Sequence, residues 1–212
     1  MLCPQRALGG RLQRMRTFMP ILQPDLANLT ARRRRQLLVY IALPLVYIVT
    51  GRLSLILAVP PGYATPAFLP AGIAVTATFV AGATALPGTF LGSFLLNLWI
   101  GYLIAGRINL TQIVTALVIA AGSMTQAAIG GAALRRTIGY PEPFRKPSDV
   151  LLFFLLAPTL CLTSATISLG GMWALGVVKL PDLPMNWAMW WLGDMVGVLI
   201  ALPLMIWLAD EP

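Results

Sequence analysis

Between Leu37 and Leu208 six apolar runs follow one another, each close to the ~20 residues a helix needs to cross a bilayer. That succession leaves few folds open. Inside hydrocarbon the backbone N–H and C=O groups must find partners within the protein, and a helix satisfies them locally. The runs cover 37–59, 67–86, 89–104, 110–134, 149–178 and 186–208, behind a basic leader at 1–36. They predict an all-α membrane protein, a polytopic bundle of about six transmembrane helices spanning 37–212. With 58% of residues hydrophobic and 10% charged, a soluble globular domain is excluded.

Several breaks shape the runs. Pro60-Pro61-Gly62, Pro66 and Pro70 interrupt the chain after the first, and Pro87-Gly88 divides the second from the third, predicting a tight helical hairpin. The fifth run is longer than a straight span needs, and Pro158 and Gly170-Gly171 offer places to kink or tilt.

The net charge of +8 reads as topology. Arginine and lysine gather at the ends of the runs, with no basic stripe interleaved with aromatics, so no nucleic-acid partner is expected. With the amino terminus inside, the leader carries eight basic residues and the 135–148 loop four. The two longer outer loops carry one each, Arg107 and Lys179. Basic residues accumulate in cytoplasmic loops, so both termini are predicted cytoplasmic. Trp187, Trp190 and Trp191 mark the outer end of the sixth run and Trp207 its inner end.

Catalytic chemistry finds little material. The chain has no histidine, and its two cysteines, Cys3 and Cys161, lie far apart, so no disulfide framework, metal cluster or cofactor is expected. Gly130-Gly131 and Gly170-Gly171 lack the Lys-Ser/Thr of a phosphate loop. The protein is not expected to be an enzyme.

Two charges penetrate the runs. Asp194 stands in the sixth and Arg52 in the first. Each lies about seven residues from the outer end of its helix, roughly 10 Å deep at 1.5 Å per residue. An intramembrane charge marks a functional site by default, and pairing relieves much of the desolvation cost. Arg52 and Asp194 are therefore expected to be partners, either as a structural lock or as a ligand-linked pair. Small and polar residues recur every four positions at Thr89, Ser93, Asn97 and Gly101, at Gly122, Gln126 and Gly130, and at Gly193, Gly197 and Ala201. Those faces are expected to turn inward for close packing. Asn97 lies near the same outer half as the two charges. Arg52, Asn97, Trp190, Trp191 and Asp194 are the candidate sensing residues. Pro60, Pro61, Gly62, Pro70 and Gly72 are candidates for a pocket rim, since proline-rich backbone at a membrane boundary must be hydrated or buried in protein.

Six motifs in order resemble the bacterial membrane-associated sensor domain of the first class, the MASE type. They are Pro60-Pro-Gly-Tyr-Ala-Thr65 with Leu69-Pro-Ala-Gly-Ile-Ala74, Pro87-Gly-Thr-Phe-Leu-Gly-Ser-Phe94 with Asn97, and Ile129-Gly-Gly-Ala-Ala-Leu-Arg-Arg136. Asp149-Val-Leu, Ala157-Pro158 with Ser164-Ala-Thr166, and Trp190-Trp-Leu-Gly-Asp-Met-Val-Gly197 with Pro203 follow. The likeness extends from about residue 37 to the end. It implies a signal-input domain in a bacterial inner membrane, coupled to a histidine kinase or a cyclic-di-GMP enzyme. Members often carry further membrane helices and an output domain, so the expected partner besides the bilayer is a fused or separate cytoplasmic effector or a membrane protein. A small transporter or transporter subunit using Asp194, or a membrane anchor, are the alternative readings.

Overall fold

A computed structural model describes residues 26–57, 65–139 and 143–210, and every regular element among them is helical. The α-helices are α1 (Leu26–Leu55), α2 (Leu69–Ala81), α3 (Leu86–Ala105), α4 (Leu110–Thr137), α5 (Pro147–Ala174) and α6 (Leu183–Asp210). Short 3-10 turns cover Gly82–Ala85 and Leu180–Asp182. The chain divides into a first unit, Met1–Leu37, and a larger one, Leu38–Pro212. In the first unit Arg33, Gln36 and Leu37 are exposed.

Five stretches are long and apolar enough to cross a membrane: Gln36–Leu55, Leu69–Ala105, Leu110–Thr137, Pro147–Ala174 and Leu180–Leu208. The expected second and third helices fall within the 37 residues of Leu69–Ala105, which bend at Gly82 rather than at Pro87-Gly88. Gly82 closes α2 with φ +68°, a left-handed conformation that side chains disfavour. Pro87 sits in the first turn of α3, where its missing N–H has no helical partner to lose. At 13 residues α2 is only about 20 Å long, too short to cross the hydrocarbon alone.

Contacts fix the helix directions. Val39, Leu43 and Tyr47 of α1 meet Gly88 and Gly92 of α3, and Gly51 meets Leu96, so the two helices run parallel. The α2 helix runs opposite: the Leu69 N–H donates to Ser54 Oγ (3.3 Å) near the end of α1, while Val80 C=O accepts from Arg135 (3.1 Å) near the end of α4. The α4 and α5 helices pack antiparallel through Gly122 against Ser164 and Ser168, and through Gly171 against Val118. The stripe at Gly122, Gln126 and Gly130 is buried, as is the stripe at Gly193, Gly197 and Ala201. Two of the three expected inward faces are fully buried, and on the third Thr89 and Ser93 are buried while Asn97 and Gly101 are half-buried.

Sequence-local signals set the helix ends. Asn109 accepts from Gln112 N–H and Gln112 Oε1 accepts from Asn109 N–H, both at 2.9 Å, a reciprocal capping box at the start of α4. Asp149 accepts from Lys146 N–H (3.1 Å) at the start of α5. Arg135 and Arg136 occupy the last turn of α4, where cations favour the carbonyl end.

The α2 helix, with the segment before it, and α6 meet along backbone as well as side chains. Phe68 N–H donates to Gly193 C=O at 2.9 Å. A Cβ added at Gly193 would strike Thr65 C=O, at Gly197 Phe68 C=O, and at Gly72 Gly197 C=O. Glycine lets this non-helical segment, 65–68, lie directly against α6. Around it, Phe79, Leu134, Phe153, Cys161, Val198 and Leu202 form the largest core cluster. Leu45, Val49, Leu53, Leu151, Leu155, Leu204 and Leu208 are exposed, the outward apolar surface of a lipid-embedded bundle.

Candidate functional site

A cavity of about 250 Å³ lies within the bundle. Tyr47 and Leu55 of α1 line it, together with Thr65 and Phe68 of the non-helical segment. From α3 come Leu96, Asn97, Ile100, Gly101 and Ile104, and from α4 Thr111, Gln112, Thr115, Ala116, Ile119 and Ser123. Met172 of α5, Val177, and Trp190 and Asp194 of α6 complete the wall. Exposed Ile104 and Thr111 flank the α3–α4 turn, so the cavity opens toward that end.

One hydrogen-bonded chain crosses the wall. Asn97 Nδ2 donates to Ser93 C=O (2.8 Å) and Ser93 Oγ (3.5 Å), Ser93 donates to Ser123 Oγ (3.1 Å), and Tyr47 OH donates to Ser123 Oγ (3.3 Å). It ties α1, α3 and α4 together behind the lining. Gln112 Nε2 donates to Gly101 C=O at 2.8 Å, closing α3 on α4 nearer the mouth.

Asp194 is 2% exposed and takes Ser164 and Gln126 as hydrogen-bond partners. Gln126 Nε2 also lies 3.6 Å from Cys161 Sγ. Two of the hydroxyls on the cavity wall, Thr65 Oγ1 and Thr115 Oγ1, are buried without a hydrogen-bond partner. Thr65 as a whole is 4% exposed.

The structure gathers three of the five candidate sensing residues on one wall, Asn97, Trp190 and Asp194. Trp191 stands apart. Its indole Nε1–H donates to Pro158 C=O (2.8 Å), the carbonyl of a proline inside α5, and its ring stacks on Trp187 at 6.2 Å. The Arg52–Asp194 pair is not formed: among the described residues no ion pair joins them, and Arg52 lies 4.5 Å from the centroid of the Trp99 ring. Equal depth fixes two residues along the helix axes and says nothing of azimuth. Tyr47, Gly51 and Ser54 form the buried face of α1, and Arg52, one residue round from Gly51, turns to α3.

Two of the rim candidates sit elsewhere. Pro70 and Gly72 are buried in the first turn of α2, and Gly72 packs on the α6 backbone rather than edging the cavity. Pro60, Pro61 and Gly62 lie outside the described residues. Thr65 and Phe68, a few residues on, reach the cavity instead.

Tyr47, Gln112, Thr115 and Ser123 escaped the sequence reading, while Thr65 and Ser164 entered it only as members of the family motifs. Tyr47 is the one tyrosine well inside the first run, and Ser123 stands beside Gly122 in a stripe already noted, so both carried a signal. Thr115 carried none, since hydroxyls are common in membrane helices and usually bond back to their own backbone, as Thr50, Thr76, Thr78 and Thr125 do here.

Fold and interior together define a multi-pass helical membrane protein built around a largely apolar cavity with one carboxylate in its wall. The chain belongs to the MASE1 family, whose model matches residues 37–211, essentially the whole length. MASE1 is a family of membrane sensor domains, and no catalytic domain is detected in the chain beside it. No curated protein and no solved structure matches.

Proposed function

We infer that this chain is a signal-input domain in which occupancy of the bundle cavity biases the arrangement of α1 and α6. The observation that carries the reading is the cavity itself, walled by α1 and α6 at once and holding the buried Asp194. The α1 helix leads back to the arginine-rich leader and α6 ends at Asp210, so both connect the cavity to chain segments read as cytoplasmic. The membrane is the inner membrane of a bacterium, with both termini inside. The effector is a histidine kinase or a cyclic-di-GMP enzyme, fused or separate. A ligand shifts such an equilibrium only through different affinities for its two states, which a cavity shared by both helices supplies. Asn97, Trp190 and Asp194 are the sensing residues, and Arg52 on Trp99 sets the position of α1 against α3.

A diguanylate cyclase fused behind residue 212 tests the reading. Filling the cavity with Ser123→Leu or Ala116→Phe should change cyclic-di-GMP output in cells, whereas Leu155→Phe on the exposed face of α5 should not. Equal output from all three variants at equal membrane abundance would refute it.

The transporter reading draws on the break before α2, since non-helical backbone buried among helices often borders substrate sites in transporters. Uptake into proteoliposomes that is lost in Asp194→Asn would favour it.

A further inference from the structure

We propose that the cavity binds a small organic cation, a primary or methylated ammonium on an apolar body, with the ammonium at the Asp194 carboxylate. The proposal rests on the sensor reading and names its ligand class. Three observations carry it.

The first is charge. Among the described residues Asp194 is the one acidic residue in the lining, and no lysine or arginine lines the cavity with it. Its described partners, Ser164 and Gln126, are both neutral. A buried carboxylate of this kind lacks the counter-charge that would offset its desolvation, and a cationic ligand supplies it. An anion would meet a carboxylate and, among the described lining residues, no cation.

The second is the wall. Tyr47, Phe68 and Trp190 all face the cavity, and the Tyr47 and Phe68 rings meet edge to face at 6.1 Å. Aromatic faces beside a carboxylate attract ammonium groups through the ring quadrupole. The remaining lining, including Ile100, Ile119 and Met172, suits an apolar body.

The third is the unpartnered hydroxyl of Thr65, 96% buried by its 4% exposure, which the lining leaves free to accept from an ammonium N–H. Size closes the description. A volume of about 250 Å³ equals roughly eight waters at ~30 Å³ each, room for a ligand of about ten non-hydrogen atoms.

Binding of 2-phenylethylamine to the purified full chain in nanodiscs, followed by tryptophan fluorescence and calorimetry, tests the proposal. Its neutral counterpart 2-phenylethanol and the anionic 3-phenylpropanoate serve as comparison ligands. The amine should bind about tenfold or more tightly than the alcohol, a difference of about 1.4 kcal/mol, and the acid should not bind. Asp194→Asn should abolish the preference for amine over alcohol, and Trp190→Leu should weaken the amine more than the alcohol. The second variant keeps the test decisive if the first fails to fold. Equal binding of amine and alcohol by the native chain, or a preference unchanged in either folded variant, would overturn the proposal. If amines do not bind while Ser123→Leu still alters the output of the cyclase fusion, the ligand class is wrong and the sensor reading stands. If the amine binds but no cavity variant changes output, the reverse holds.

Discussion

Gly197→Ala should loosen the contact between α6 and the 65–68 segment. The new Cβ would sit inside contact distance of Phe68 C=O, with the Phe68 carbonyl carbon and Leu69 N close behind. All of these are backbone atoms, so no rotamer change relieves the clash. Carbon contacts settle near ~3.5 Å, so the two backbones must part by roughly 1 Å or more. That movement strains the Phe68 N–H to Gly193 C=O bond, now 2.9 Å, one turn away on the same face. Overpacking of this kind costs about 1–3 kcal/mol, and loss of the hydrogen bond adds about 1 kcal/mol. Gly170→Ala is the control, because a Cβ there meets nothing within 4 Å and the substitution should be neutral or slightly stabilising. Unfolding in mixed micelles, followed by circular dichroism, measures both. A Gly197→Ala protein as stable as the native chain would refute the claim that backbone contact fixes α6 on this segment. Equal destabilisation in the two variants would reduce the effect to general glycine replacement.

Two further outcomes follow from the side-chain contacts. In a double-mutant cycle on unfolding free energy, Arg52→Gln and Trp99→Leu should couple by about 0.5–1 kcal/mol, the worth of an exposed cation–π contact, while Arg52→Gln and Asp194→Asn should be additive; the opposite pattern would restore the direct ion pair. Gln126→Leu keeps volume but removes a partner of the Asp194 carboxylate, and should destabilise by about 1–3 kcal/mol in the same assay while leaving the cavity lining intact, with no loss of stability as the contrary result.

Much of the bundle could be read from residue order because membrane helices announce themselves by length and apolarity. The stripe at Gly122, Gln126 and Gly130 and that at Gly193, Gly197 and Ala201 were equally legible, since a four-residue recurrence of small side chains has few uses other than close packing. Pro87-Gly88 misled for a physical reason. Proline both ends helices and opens them, and only the dihedral of Gly82, invisible in sequence, places the turn earlier. The partner of Arg52 was misread because helical rise gives depth alone, and the rotation of α1 depends on how Gly51, Ser54 and Tyr47 pack. Of the cavity wall, Asp194, Asn97 and Trp190 were found because each is unusual where it stands. Thr115 became visible only through what it does not bond, and Thr65, already part of a motif, gained its place on the wall the same way, a property of the assembled bundle.

The backbone contact between Phe68 and Gly193 also imposes an order on biogenesis. The ribosome delivers residue 68 about 125 residues before its hydrogen-bond acceptor, so the early half of the bundle emerges with an amide whose partner has not been made. At membrane depth an unmet amide costs several kcal/mol. Nascent α1 to α3 must therefore keep the 65–68 segment near water, or lend it a provisional partner, until α6 docks. Docking of α6 is the step that gives this amide its native partner.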